Sequence, residues 1–199
     1  MRTRPPLLVV LTGPSGAGKD SVLAELKSRN NSRYAFAVTA TTRSPRLAER
    51  DGIDYHFVSS DEFRRMAGAG ELLEHAQVYA HQYGVPKAPV QELLNKGLTV
   101  LLRTDVQGAR YIKRVTHGAL TIFISAPSEE ELERRLRARG GDSPGQVDLR
   151  TRTAKIEMQE AGEFDYVVVN DDLETCVAEV EGIIERELAR ADRVPLEIP

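Results

Sequence analysis

A glycine-rich stretch near the start of the chain has the residue types and the spacing of a phosphate-binding loop. It lies between a short apolar run and a helical pattern, and it reads Gly13-Pro14-Ser15-Gly16-Ala17-Gly18-Lys19. Glycines let the backbone turn tightly and direct its N–H groups at phosphate oxygens, and the helix N-terminus adds a favourable dipole. The lysine can reach the β- and γ-phosphates of a nucleotide. A plain glycine-rich turn with a solvated lysine is the alternative, but the strand–loop–helix setting favours an ATP site.

The residue after the lysine differs from the usual form of this motif. That position normally carries Ser or Thr, whose hydroxyl binds Mg²⁺, whereas this chain has Asp20 followed by Ser21. A carboxylate is a hard oxygen ligand that suits Mg²⁺, although it adds negative charge beside a triphosphate. Asp20 could instead simply favour the helix N-terminus through its charge. Both interpretations stay open, and we expect Mg²⁺ to accompany ATP.

Composition limits the class of protein. The chain has 199 residues and a net charge of −3, which suits one buried core and argues against general nucleic-acid binding. A local basic cluster could still bind a small anion. Cys176 is the single cysteine, so no intrachain disulfide is available and a reducing cytoplasm is expected. No apolar run approaches the ~20 residues of a membrane span.

Short apolar runs recur along the chain and predict strands. They are Leu7–Leu11, Phe36–Val38, Thr99–Leu102, Leu120–Ile124 and Tyr166–Val169. Most are continuous rather than alternating, as in strands that are covered on both faces. Helical patterns lie between them, at Asp20–Ser28, from a capping box at Ser128 and Glu131 to about Arg139, and from about Leu173. The alternation predicts an α/β fold, with a P-loop NTPase core in which helices flank a parallel sheet.

Two polar stretches interrupt this alternation. Residues 39–95 are rich in Arg, Tyr and turn residues, with short helical patterns at Asp61–Ala67 and Pro89–Asn95, and residues 137–164 are strongly charged. We interpret them as insertions into one domain whose core is about 1–38, 96–136 and 165–199. Ligands of such sheets bind outside the carboxyl ends of the strands, so both insertions are expected over that edge.

The first insertion has a cluster of arginines, hydroxyls and one tyrosine between Thr39 and Ser59. Arginine binds phosphate bidentately, and a tyrosine hydroxyl can donate to the same group. By chemistry alone the stretch could be an exposed charged loop. The whole string, Thr39-Ala40-Thr41-Thr42-Arg43-Ser44-Pro45-Arg46 and onward to Asp54-Tyr55, nevertheless closely resembles the GMP-binding segment of guanylate kinases.

The resemblance continues in order through nearly the whole chain. Its further motifs are Glu71-Leu72-Leu73-Glu74, Gln82-Tyr83-Gly84-Val85-Pro86, Asp105-Val106-Gln107-Gly108-Ala109 and Tyr166 to Asp172. The arginines at 135, 139 and 150 have the spacing of that family's lid arginines. Together these motifs are highly specific, and they identify residues 39–95 as a GMP-binding insertion and residues 137–164 as a lid.

The resemblance implies a role for each matching residue. The GMP phosphate would be held by Arg43, Arg46, Tyr55 and Tyr83. The guanine would be read by Thr39, Glu74 and Asp105. The transferring phosphoryl group would be surrounded by Lys19, Arg135, Arg139 and Arg150. The adenine of ATP would lie near Asn170.

Two further positions depart from the family pattern. Val85 stands where a small hydroxyl residue is common, so one guanine or ribose contact would be missing. Arg103 stands where the central strand usually carries an acidic residue, two before Asp105. An arginine cannot bind a metal; it could pair with Asp20, lie near a phosphate or turn to solvent. These changes affect the expected Mg²⁺ shell more than the expected reaction.

The resemblance implies a cytoplasmic enzyme that moves the γ-phosphoryl group of ATP to GMP, with ATP and GMP as its small-molecule partners. Two alternatives remain. Ribose 1,5-bisphosphate phosphokinases can also read Gly18-Lys19-Asp20-Ser21, but the string from Thr41 to Tyr55 is not expected in them. A non-catalytic guanylate-kinase-like module that binds phosphorylated peptides would need neither the P-loop lysine nor the lid arginines.

Overall fold

The computed structural model of the chain describes residues 6–29, 33–138 and 144–199. The chain divides into two compact units. Unit 1 comprises Met1–Val10, Asn31–Leu120 and Asp192–Pro199, and unit 2 comprises Leu11–Asn30 and Thr121–Ala191. The expected GMP-binding insertion therefore belongs to unit 1 and the expected lid to unit 2. The finer division into core, insertion and lid stays a prediction.

The strands of the described residues form two sheets. In chain order they are β1 Leu8–Thr12, β2 Tyr34–Phe36, β3 Ala40–Thr41, β4 His56–Phe57, β5 Leu72–Val78, β6 His81–Pro86, β7 Thr99–Arg103, β8 Leu120–Ser125 and β9 Tyr166–Val169. One sheet has the order β2-β7-β1-β8-β9 and the other β4-β3-β6-β5.

The larger sheet confirms the predicted α/β fold. The pairs β2–β7 and β8–β9 are parallel, and every residue of β1 and of β8 is buried. Continuous apolar runs are therefore strands covered on both faces, as predicted. The prediction for β2 was displaced: the strand is Tyr34–Phe36 rather than Phe36–Val38, because Tyr34 is the buried residue that pairs with Thr99.

The smaller sheet lies wholly in unit 1, within residues 39–95, where no strand was predicted. Its β3 and β4 strands have only two residues each and pair in parallel, while β6 pairs antiparallel with both β3 and β5. Strands this short carry no readable periodicity. The register across the sheet places Thr41 opposite Tyr83 and Glu74 opposite Val85, so it sets which side chains of the polar stretch are neighbours.

The helices are α1 Lys19–Arg29, α2 Ser60–Gly68, α3 Lys87–Asn95, α4 Val106–Val115, α5 Glu129–Ala138, α6 Pro144–Gln159 and α7 Leu173–Ala189. The predictions for α1, α2, α3, α5 and α7 are confirmed within a few residues. Among the described residues, no helix combines the length and the apolar character that crossing a membrane requires.

Two helical features differ from expectation. The Ser128 hydroxyl accepts from the Glu131 N–H at 3.2 Å, but the Glu131 carboxylate binds Arg134 and Arg135. The guanidinium groups, as charged donors, hold the carboxylate more strongly than a backbone N–H does. The second difference is α6, which occupies most of the charged stretch 144–164 and packs against α5. Its charged, weakly amphipathic sequence gave no apolar stripe from which to predict it.

Candidate active site

The glycine-rich loop in unit 2 follows β1 and opens α1. Gly13 has a φ of 136°, and a Cβ added there would lie 2.0 Å from the backbone oxygen of Ile124. Gly18 has a φ of 89°, and its added Cβ would lie 2.2 Å from Nδ2 of Asn170. Both positions combine a left-handed backbone with a close neighbour, so only glycine fits them.

The Lys19 side chain folds back over this loop. Its Nζ donates to the carbonyl oxygens of Gly13 at 2.6 Å and Pro14 at 2.8 Å, while the Ala17 N–H donates to Pro14 O at 3.2 Å and closes the turn. The ammonium group is therefore held beside the loop. A solvated lysine on a plain turn, the alternative from sequence, is not what the structure contains.

Asn170, at the end of β9, braces the loop. Its Nδ2 donates to the carbonyl oxygen of Ala17 at 2.8 Å, and its own N–H donates to Ser125 O at 2.8 Å. Arg135 in turn donates from Nη1 to the Asn170 carbonyl at 2.9 Å. Loop, strand end and α5 are thus joined by hydrogen bonds. A place for Asn170 beside adenine remains a prediction.

The predicted lid arginines have different surroundings. Arg135 donates from Nε to Glu131 at 2.7 Å, and the hydrogen bonds from Arg134 and then Arg135 lower the pKa of Glu131 to about 2. Arg150 lies half-buried in α6 of the same unit. Arg139 lies outside the described residues. The structure therefore places one of the three, Arg135, in the network that holds the phosphate loop.

Asp20, the tentative metal ligand, is exposed in the first turn of α1. Among the described residues, no group of three or more His, Cys, Asp or Glu could form a metal cage. Mg²⁺ is usually bound through one or two carboxylates together with substrate phosphates. Asp20 supplies one such carboxylate, next to the glycine-rich loop.

Unit 1 contains an arginine pair at the tip of the polar stretch. Arg43 donates from both terminal nitrogens to Glu49 at 2.9 Å each, and Glu49 also accepts from the Arg46 N–H at 2.8 Å. These charge-assisted bonds raise the pKa of Arg43 and lower the pKa of Glu49. Glu49, which sequence reasoning did not select, thereby shapes the segment between the two arginines. The side chain of Arg46 itself is exposed.

Tyr55 is the centre of an aromatic and cationic cluster. The Arg43 guanidinium lies 5.2 Å from the Tyr55 ring centroid and the Arg103 guanidinium 4.9 Å from it. The Tyr83 ring meets Tyr55 edge-on at 6.1 Å, and Arg103 donates to the Tyr55 hydroxyl. Burial is the main cause that raises the pKa of Tyr55 to about 12. Arg103 is thus packed on an aromatic ring rather than turned to solvent.

The predicted base-reading residues approach one another at the end of β7. Glu74 is 2% exposed in β5, and Oε1 accepts from the Thr104 hydroxyl at 2.9 Å. Its Oε2 is buried and has no hydrogen-bond partner among the described residues. Burial first, and the charge of Asp105 second, raise the pKa of Glu74 to about 8. Glu74 is therefore a buried carboxylate rather than a surface one.

Asp105 and Thr39 also have structural partners. Asp105 caps α4, since its Oδ1 accepts from the Gly108 N–H at 2.9 Å. Thr39 is 7% exposed, and its hydroxyl donates to the Arg103 carbonyl at 3.3 Å. Capping uses one carboxylate oxygen of Asp105 and does not exclude a role for the other in base recognition.

Sequence reasoning missed two further residues here, Thr104 and Gly108. A Cβ on Gly108 would lie 2.3 Å from the Thr104 hydroxyl and 2.4 Å from Oε2 of Glu74. Gly108 is part of the motif from Asp105 to Ala109, but the sequence does not show why that position needs glycine. The structure does, because the buried Glu74 carboxylate occupies the space that a side chain at position 108 would fill.

Comparisons with known proteins show similarity over almost the whole chain. The family model described as guanylate kinase matches residues 5–187. A guanylate kinase from Alkalilimnicola ehrlichii is 42% identical over 95% of this chain and 93% of its own length. One from Thermosynechococcus vestitus is 45% identical over 91% of this chain and 94% of its own. The solved guanylate kinase of Anaplasma phagocytophilum covers 97% of this chain and 92% of its own, at 32% identity and a TM-score of 0.82.

Proposed function

The chain belongs to the guanylate kinase family, and we infer from this membership that it transfers the γ-phosphoryl group of ATP to GMP, giving ADP and GDP. The family assignment supplies the reaction, and the described residues of each unit support a role for that unit. One observation supports GMP as the acceptor most directly: Glu74 has a buried carboxylate oxygen without a hydrogen-bond partner among the described residues.

We propose that unit 2 binds ATP through Gly13–Lys19. The loop directs backbone N–H groups at phosphate oxygens. The Lys19 ammonium, which now donates to two loop carbonyls, would donate to β- and γ-phosphate oxygens laid on the same loop. Its charge acts on oxygens that become more negative as the bond breaks, so its value lies mainly in the transition state. Asn170 would keep the loop in shape and border the adenine.

We propose that unit 1 binds GMP. Arg43 and Arg46 with Tyr55 and Tyr83 would hold the phosphate, because guanidinium forks and phenol hydroxyls are both donors to anionic oxygens. Glu49 holds Arg43 through two hydrogen bonds, and Nη1 of Arg43 also donates to the Ser44 carbonyl, so the phosphate would be bound by the remaining N–H groups of the guanidinium. Glu74, Asp105 and Thr39 would read the guanine, whose N1–H and 2-amino group are adjacent donors that suit carboxylate acceptors.

Phosphoryl transfer then needs alignment, charge neutralisation and exclusion of water rather than a general base, since the attacking phosphate is already an anion. We propose that Lys19, Arg135, Arg139 and Arg150 neutralise the charge that spreads over the transferring group. The lid arginines would act on closure, which also prevents water from accepting the phosphoryl group.

Mg²⁺ would be held by Asp20 together with phosphate oxygens of ATP, and it would neutralise charge on the β- and γ-phosphates. The carboxylate has the right ligand chemistry and stands next to Lys19 in the first turn of α1. Asp20→Asn keeps the size of the side chain, but it removes the negative charge and leaves one oxygen instead of two that can bind Mg²⁺. A raised Mg²⁺ requirement in that variant, measured by Mg²⁺ titration at fixed ATP, is the expected result.

A side-by-side assay tests the acceptor. The purified protein is given ATP with GMP, AMP or ribose 1,5-bisphosphate, and product is measured with each. We expect GMP to be preferred over AMP by at least ~10² in kcat/KM, because a site that bonds a group rejects the analogue lacking it. Faster turnover of ribose 1,5-bisphosphate, or equal rates on GMP and AMP, would refute GMP as the acceptor.

The variant Glu74→Gln tests whether this one residue contributes to the preference for GMP over AMP. The amide retains one oxygen but can turn its NH₂ toward the acceptor N1 of adenine, so the preference for GMP should decline. Unchanged selectivity would remove Glu74 from base recognition while leaving the reaction itself intact.

We further propose a cytoplasmic enzyme that does not use nucleic acid as a partner. Cys176 is buried and free, as suits a reducing compartment. The net charge of −3 gives no general attraction to a polyanion.

A further inference from the structure

The Glu74 carboxylate is buried, yet only one of its two oxygens has a hydrogen-bond partner among the described residues. It is 2% exposed, Oε1 accepts one hydrogen bond, from the Thr104 hydroxyl at 2.9 Å, and Oε2 has no hydrogen-bond partner among the described residues. Buried polar atoms normally have partners, and one that lacks them costs free energy. An oxygen kept in this state is suited to accept from a ligand.

The position of the carboxylate is fixed from two sides. Thr104, 7% exposed at the end of β7, holds Oε1. Gly108 in α4 leaves room for Oε2, since an added Cβ would lie 2.4 Å from that atom. From the neighbouring strand β6, Val85 stands opposite Glu74 in the register. Val85 has no hydroxyl, so its side chain cannot donate a hydrogen bond to Glu74. The side chain that donates to Glu74 is Thr104.

We propose that Thr104 is a positioning residue for guanine: its hydroxyl holds Oε1 of Glu74 and leaves Oε2 to accept from guanine. This inference rests on the proposed function, in which Glu74 reads the base. Thr104 acts through Glu74 rather than on the base itself. Base recognition would then include a residue that lies outside all the sequence motifs described above.

The charges around Glu74 give the inference a pH signature. Burial and the charge of Asp105, which caps α4, raise the pKa of Glu74 to about 8, whereas the hydrogen bond from Thr104 acts in the opposite direction. The elements packed on β5 are β6, α4 and α2. Opposite Glu74, β6 has the uncharged Val85, and the charged group that acts on Glu74 is Asp105, the N-cap of α4. A raised pKa means that the carboxylate is ionised above the pKa and neutral below it. Guanine recognition should therefore strengthen as pH rises through about 8.

Removing the Thr104 hydroxyl should move this rise to higher pH. In Thr104→Val the opposing hydrogen bond is lost, so the pKa of Glu74 rises further. We expect kcat/KM for GMP at about pH 7 to fall, by about tenfold for each unit by which the pKa rises, since the ionised fraction changes by that factor there. The loss should shrink toward about pH 8.5. Thr104→Ser, which keeps the hydroxyl, should follow the wild-type profile.

The experiment measures kcat/KM for GMP and for AMP between about pH 6.5 and pH 8.5 in wild type, Thr104→Val, Thr104→Ser and Glu74→Gln. Thr116→Val is the matched control, because Thr116 is also buried in unit 1 and its hydroxyl has no hydrogen-bond partner among the described residues. Ionisations of the substrates are common to all variants and cancel in the comparison. Melting temperatures report any loss of fold.

The expected result is a GMP-specific loss in Thr104→Val that shrinks with pH, a lower GMP-to-AMP ratio, rescue by serine and a flat profile in Glu74→Gln. A loss of equal size at every pH would show a packing role for Thr104 and overturn the inference. No loss in Thr104→Val, with selectivity still reduced in Glu74→Gln, would overturn it too. Unchanged selectivity in Glu74→Gln would instead refute the proposed function of Glu74, so the two failures are distinguishable.

Discussion

The phosphate loop of unit 2 and the polar cluster of unit 1 are built in opposite ways. The loop consists of contiguous residues, Gly13–Lys19, and most of the groups that it offers are backbone N–H groups. The cluster is assembled from side chains that lie far apart in sequence, between Thr39 and Asp105, and it depends on their packing. A site made of backbone depends on local conformation, whereas a site made of side chains depends on neighbours from other elements.

The two regions also hold their charges differently. Lys19 donates to carbonyl oxygens of the loop itself, so its partners are neutral. Arg43 is fixed by the carboxylate of Glu49, and Glu74 is a buried acid whose pKa is raised to about 8. Substitutions in the loop should therefore affect ATP and the chemical step, and substitutions in the cluster should affect GMP. Each prediction below tests that separation.

The largest effect is expected at Lys19. Lys19→Ala should lower kcat by about a hundredfold or more while the fold survives, because the charge acts mainly in the transition state. Steady-state kinetics and a melting curve measure both quantities. Lys27→Ala is the control, an exposed lysine in the last turn of the same helix. A kcat near that of the wild type would contradict the assignment of the phosphate loop.

Arg43 and Arg46 test the cluster. Replacing either by Ala should raise KM for GMP far more than KM for ATP. The rise in KM for GMP should correspond to a loss of about 1.5–3 kcal/mol in binding free energy, the range for hydrogen bonds to charged groups. Each variant is titrated against both nucleotides. Arg64→Ala serves as control, since Arg64 is exposed in α2 and pairs with Asp61. If both KM values rose equally, the segment would not hold the acceptor and the separation of the two regions would fail.

Gly108→Ala tests how tightly the buried carboxylate is packed. The new Cβ would meet Thr104 and Glu74, so the side chains must shift, and we expect an unfolding free energy lower by about 1–3 kcal/mol with a loss in kcat/KM for GMP. The control is Gly182→Ala in α7, where nothing lies within 4 Å of an added Cβ. That change should stabilise the protein by about 0.5–1 kcal/mol through helix propensity. Equal behaviour of the two variants would show that the space beside Glu74 is not confined.

The smallest effect is expected at Asn170. Asn170→Ala removes the hydrogen bond from Nδ2 to Ala17 and should cost about 1 kcal/mol, seen mainly as a higher KM for ATP. Asn95→Ala, at the exposed end of α3, is the control. Should KM for GMP rise as much as KM for ATP, Asn170 would not act through the loop.

Sequence was sufficient where the signal is local. The loop at Gly13–Lys19 could be predicted because its residues are adjacent and its glycines serve a backbone shape. The α/β fold followed from continuous apolar runs, which the burial of β1 and β8 confirms. Membership in the family was also readable, since its motifs occur in order along almost the whole chain.

Other parts of both units could not be predicted in this way. In the smaller sheet of unit 1, β3 and β4 have two residues each, too short for a pattern. In unit 2, α6 has too little apolar periodicity to predict it. Glu49 was passed over because acidic residues are common in exposed loops, and nothing local says that it binds Arg43. Arg103 left three alternatives open, and the structure removes one of them, a side chain turned to solvent, by packing it on Tyr55.

The sequence alone determined the fold class, the phosphate loop and the family, because each rests on short-range pattern or on motif order. Tertiary structure decided the burial of Glu74, its hydrogen bond to Thr104 and the need for glycine at 108. The physical reason is that desolvation and pairing of a buried acid depend on residues that lie 30 or more positions apart in the chain, and no local pattern encodes which of them will meet.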